Sequence, residues 1–182
     1  MSSALEIFGN ALYKCSFYLL TYLLTYLLYQ IDLVDVSSLS PFNNDMRYLL
    51  TCIDVFSKRS WAVPIRTKSG QDVTEAFGRV LDERGCNMVQ SDKGTEFLNS
   101  MFQFMLQRRG TKFYTSENED VKASVVERFN RTLKTKMYRY FSHANSRRYL
   151  DVLDDLLHSY NNTQQHSSSI DRHGTGQSRS AQ

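Results

Sequence analysis

Between Gln30 and Arg66 the apolar residues come in short, β-branched runs parted by polar turns. Gln30–Ser37, Tyr48–Phe56 and Ser60–Arg66 each read as a strand. A polar loop through Pro41, Asn43, Asn44 and Asp45 separates the first two, and the tight turn Ser57-Lys58-Arg59 separates the last two. From Gly70 to Arg84 the spacing becomes helical, with Val73, Phe77, Val80 and Leu81 on one face and Gly85 as a stop. Cys86–Ser91 reads as a short buried strand. Phe97–Arg108 reads as a second helix with Phe97, Met101, Phe104 and Met105 inward, closed by Gly110, and Thr111–Thr115 as a fifth strand. After the acidic loop Ser116–Asp120, a longer amphipathic helix buries Val126, Phe129, Leu133, Met137 and Tyr140. It turns Glu127, Arg131 and Lys134 outward at i, i+4, i+7. A last helix is expected over Arg147–Tyr160. Three successive strands predict an antiparallel meander, and crossover helices over the remainder predict an α/β fold with a mixed five-stranded sheet.

The two ends read differently. Phe17–Tyr29 is a tandem Tyr-Leu-Leu-Thr repeat, shorter than the roughly 20 apolar residues a bilayer-spanning helix needs. It has neither a basic leader nor a small-residue cleavage site, so neither a membrane anchor nor a signal peptide is expected. From Gln164 the chain is rich in Ser, Gln and Gly without periodicity, which predicts a disordered tail. Residues 1–29 are thus expected to be an extension, 30–165 a core, and 166–182 a tail.

Composition adds little until it is read locally. The net charge of the 182 residues is only +3. From Asp120 to Arg148, however, eight basic residues stand against two acids, an excess larger than that of the whole chain. Such a run is either a solvated helix face or a nucleic-acid surface. Three widely spaced cysteines with no CxxC pair, far from the four histidines, predict neither a zinc module nor a disulfide framework. Cys52 and Cys86 are expected to be small core residues.

Three acids have surroundings that single them out. Asp32 lies mid-strand among Ile31, Leu33 and Val34, where an ionised carboxylate is costly unless paired or metal-bound, or unless alternation turns it to solvent with Gln30. Asp35 has the opposite strand parity and points to the other side. Asp92 ends a strand just before Gly94, where ligands gather in mixed α/β sheets, although a helix-capping role fits as well. Glu127 heads the basic helix and could equally be a surface acid. Acids make up 19 of 182 residues, about one position in ten, so spacing alone is weak evidence and the surrounding words decide.

Those words are Gln30-Ile31-Asp32, Ser91-Asp92-Lys93-Gly94-Thr95-Glu96-Phe97 and Val125-Val126-Glu127-Arg128-Phe129-Asn130-Arg131-Thr132-Leu133-Lys134, followed by Tyr160-Asn161-Asn162-Thr163. In that order they resemble the catalytic core of retroviral-type integrases and related transposases, the Asp, Asp, Glu family with a ribonuclease H-like fold. The likeness is greatest to integrases carried by large eukaryotic DNA transposons. The resemblance implies metal-dependent polynucleotidyl transfer, with Asp32, Asp92 and Glu127 as catalytic residues and ligands of two Mg²⁺ (or Mn²⁺) ions. It implies DNA as partner, in the nucleus, held by Arg128, Arg131 and Lys134, and a homo-oligomer as the active form. Asn130 is either an orienting partner or a helix-surface amide. Thirty-four residues separate Asp92 from Glu127, one fewer than the family pattern, a deletion expected in the Ser116–Asp120 loop. Tyr29 stands where the family commonly has tryptophan. Neither a zinc module nor a basic β-barrel flanks the core in these residues, so complete integration by this chain alone is not expected. The alternative is an inactive nucleic-acid-binding remnant that uses the basic helix.

Overall fold

The structure is a computed structural model that describes residues 27–115 and 124–170. Most of the Tyr-Leu-Leu-Thr segment, the acidic loop and the tail from residue 171 lie outside the described residues. The strands are β1 (Leu28–Asp35), β2 (Tyr48–Asp54), β3 (Ser60–Ile65), β4 (Met88–Ser91) and β5 (Lys112–Thr115). They form one sheet in the order β3-β2-β1-β4-β5. The meander is antiparallel, while β4 lies parallel to β1 and β5 parallel to β4. The helices are α1 (Gly70–Glu83), α2 (Thr95–Leu98), α3 (Ser100–Arg108), α4 (Ser124–Ala144) and α5 (Leu153–Ile170). The expected mixed five-stranded sheet with flanking helices is what forms.

Strand alternation divides the core in two. Tyr29 and Ile31 of β1 face a cluster with Val73, Phe77, Phe97, Phe102 and Leu106 from α1, α2 and α3. Val34 faces the opposite cluster, built with Val126, Phe129, Leu133 and Met137 of α4 and Leu153 and Tyr160 of α5. Gln30 and Asp32 share Val34's parity, so the face on which a solvated Asp32 was one expectation is covered by α4. Tyr29 is fully buried, its ring 5.2 Å from that of Trp61, so the end of the apolar segment is a core strand.

Several boundaries differ from those read along the sequence. The single helix expected at Phe97–Arg108 is two. Asn99 adopts extended backbone, and its side chain accepts from the Phe102 amide, starting a new helix. The break rotates the inward face to Phe102 and Leu106 and leaves Met101 and Phe104 exposed. The last helix begins at Leu153 rather than Arg147. The preceding connector is held by fully buried Asn43, which accepts from the Tyr149 and Leu150 amides and donates to the carbonyls of Leu39 and Arg147. With no proline or glycine to stop it, α5 runs past residue 165 to Ile170. Part of the loop before Asn43 is a 3-10 turn, Ser37–Phe42. Cys86 precedes β4 and is half-buried, and Tyr140 is only partly covered.

Candidate active site

Parallel pairing of β1 with β4 sets Gln30 opposite Gln90. Two residues further along both chains stand Asp32 and Asp92, carried by the same register to the same side of the sheet. Asp32 is partly buried, whereas Asp92 is the first residue beyond β4 and is exposed. One Asp92 oxygen accepts from the Gly94 amide at 3.1 Å, which turns the chain away from the sheet.

The amide rung beneath the two acids positions the third. The Gln30 side chain donates to Gln90 Oε1 at 3.0 Å, and its own oxygen accepts from the Val125 and Val126 amides at 3.1 Å each. These amides open the first turn of α4, where helix N–H groups lack intrahelical acceptors. One turn on, Asn130 Nδ2 donates to Asp32 Oδ2 at 2.8 Å. Strand β1 therefore holds α4 at two points that bracket Glu127, which is exposed. Of the two readings left open for Asn130, the structure selects the orienting partner. Gln30 went unrecognised as a positioning residue, and its only sequence signal was a polar residue two before Asp32 in an otherwise apolar strand.

Electrostatics ties the acids together. Burial pushes the Asp32 carboxyl above its ordinary value, and repulsion from Asp92 and Glu127 adds to the rise. The Leu33 amide, at 2.7 Å from Oδ1, and Asn130 oppose it. Asp35, on the other parity, is held below the usual carboxylate range by the Ser37 hydroxyl and amide. The donor set is hard oxygen, as Mg²⁺ or Mn²⁺ prefers, and a cation among mutually repelling carboxylates would relieve the strain on Asp32. These residues fit the ion chemically. Yet among the described residues no three His, Cys, Asp or Glu side chains converge tightly enough to hold one metal ion.

Arg128, Arg131 and Lys134 are all exposed on α4. Tyr160 packs on Phe129 with ring centroids 4.9 Å apart. Asn161 pins α5 to the start of β3 through the backbone N–H and C=O and the hydroxyl of Ser60. The Tyr160-Asn161 word is thus a structural clamp behind the site. Among the described residues no helix is long and apolar enough to cross a membrane.

A mixed sheet with this strand order, bearing aspartates on β1 and just past β4 and a glutamate on the following long helix, defines a ribonuclease H-like integrase core. The chain belongs to the integrase core domain family, whose model matches residues 17–120 and so takes in Asp32 and Asp92 and the whole Tyr-Leu-Leu-Thr segment. A transposon-derived protein of Caenorhabditis elegans is 37% identical over 123 residues, 66% of this chain and 43% of that protein. The chain resembles a chain of the simian T-cell lymphotropic virus intasome in complex with the PP2A regulatory subunit B56 gamma (TM-score 0.64, 20% identity, 73% of this chain and 47% of that one). It also resembles the HTLV-2 integrase catalytic core domain in complex with magnesium, dimeric form (TM-score 0.60, 18% identity, 73% and 83%). The chain therefore spans less than half the length of the worm relative and of the intasome chain.

Proposed function

We propose that this chain is the catalytic part of a transposon-derived integrase that cuts and joins DNA 3′ ends by metal-dependent phosphoryl transfer. The observation that supports this reading is the parallel pairing of β1 with β4, which carries Asp32 and Asp92 on neighbouring strands, together with the Asn130 hydrogen bond to Asp32 one turn beyond Glu127 on α4. Asp32 and Asp92 would hold one divalent cation between them, and Glu127 would complete a second site. Such ions supply the positive charge that activates an attacking oxygen and stabilises the departing 3′-oxygen. The protein supplies placement. Asn130 and the Leu33 amide fix the Asp32 carboxylate, Gln30 fixes the start of α4, and Arg131 and Lys134 hold DNA phosphates one and two turns beyond Glu127. Those phosphate contacts position DNA without reading its sequence. The work belongs in the nucleus and to a homo-oligomer.

The test is nicking and strand transfer on an oligonucleotide duplex with Mg²⁺ or Mn²⁺. Asp92→Asn and Glu127→Gln should each abolish both reactions while the circular dichroism spectrum stays native. Native activity in both variants sinks the assignment. The exposed Arg128, Arg131 and Lys134 along α4 favour a second reading, DNA binding without catalysis. In that case affinity falls with salt and with Arg131→Ala, is indifferent to Mg²⁺, and no nicking occurs with either metal.

A further inference from the structure

The basic face of α4 continues beyond Lys134. A groove along it is walled by Arg131, Lys134, Tyr138, Arg139 and His143. A second groove, of about 670 Å³, lies between the end of α4 and the 3-10 turn, walled by Phe42, Tyr138, Phe141 and Arg147. Tyr138 and Ser142 line both, so the two grooves adjoin. Among the described residues that line them there is no Asp or Glu.

Two exposed aromatic rings line the grooves, Tyr138 at 58% in both and Phe42 at 45% in the second. Both are braced. Phe141 meets Tyr138 edge-on at 5.7 Å, and the Arg147 guanidinium sits 5.6 Å from the Phe42 ring. Asn43, next to Phe42, donates to the Arg147 carbonyl at 2.9 Å, which fixes ring and cation in one frame. A track of cations that ends on exposed aromatic rings is complementary to a polyanion with free flat faces. Paired bases inside a duplex bury those faces against each other, while unpaired bases offer them.

We propose that this groove binds an unpaired, single-stranded segment of DNA. Its phosphates lie along Arg131, Lys134 and Arg139, and unpaired bases stack on the exposed rings of Tyr138 and Phe42. Tyr138 is eleven residues beyond Glu127, about 16 Å along the helix, or roughly five nucleotides at stacked spacing. Only that last distance rests on the reading of the acids as a transfer centre.

The experiment measures binding of the full chain to a labelled duplex with a single-stranded overhang and to its blunt counterpart, without divalent metal. A 2-aminopurine in the overhang reports stacking. The overhang should tighten binding and quench the probe. Tyr138→Leu and Phe42→Leu should each weaken overhang binding roughly tenfold, since stacking one base is worth about 1–3 kcal/mol, and restore probe fluorescence. Blunt-duplex binding should stay unchanged, and Tyr138→Phe should behave as native. Equal affinity for blunt and overhanging duplexes overturns the proposal, as does an unquenched probe or Tyr138→Leu without effect. Preference for an acidic peptide over the overhang also overturns it. Asp92→Asn should bind the overhang normally, so loss of nicking with intact binding bears on the transfer reading alone.

Discussion

Replacing Gln30 by Leu removes the acceptor of two backbone N–H groups at the start of α4 while nearly conserving volume. Val126 N–H is buried and Val125 N–H partly so, and Gln90 also loses its donor. A buried donor left unpaired costs about 1–3 kcal/mol, and loss of a helix N-cap about 0.5–2 kcal/mol. With one donor fully buried and one partly solvated, the first turn of α4 should be weakened by about 2–4 kcal/mol relative to the sheet. Because each 1.4 kcal/mol is a factor of about ten in an equilibrium, the Val125–Phe129 amides should exchange with solvent at least tenfold faster. Amides in the middle of β2 should change only with global stability. Hydrogen exchange read by mass spectrometry resolves the two regions. Gln30→Glu is the informative companion. It keeps an acceptor, places negative charge at the positive end of the helix, and Gln90 can turn its amide over to donate. Exchange in the first turn should then stay near native. Native exchange in Gln30→Leu would refute the clamp.

Other outcomes follow from the same geometry. Asp32 has a raised carboxyl pKa, so the stability it contributes is present below the unfolded value and is lost as pH rises through the folded one. Asp32→Asn should therefore melt higher than the native chain at about pH 7, with the gap closing toward about pH 4. The buried, unpaired Asn130 Oδ1 gives an amide at position 32 a partner once Asn130 turns over. Asn43→Ala deletes four hydrogen bonds of a fully buried side chain and should lower unfolding free energy by about 3 kcal/mol or more, measured in urea. Burial pushes the Cys86 thiol up to about 12 and the Cys52 thiol well above its ordinary value. Both should alkylate far more slowly at about pH 8 in the folded chain than in denaturant, as peptide mapping would read.

Hydrophobic periodicity in the sequence was enough to locate the five strands and the core face of α4, since side-chain alternation is a local property of strands and helices. The three acids were singled out not by periodicity but by the words around them, through their resemblance to the integrase family. Periodicity failed at Asn99, where a capping side chain restarts the helix and rotates its inner face. It failed again at 147–152, where Asn43, about a hundred residues earlier in the chain, holds the connector. The pairing of Gln30 with Gln90, the seating of α4 on that pair and the reach of Asn130 to Asp32 were decided by tertiary structure alone. A side chain carries no mark of its partner when the partner is a backbone amide nearly a hundred residues away. Only the parallel register of β1 with β4, set by burial on both sheet faces, brings those groups within hydrogen-bond distance.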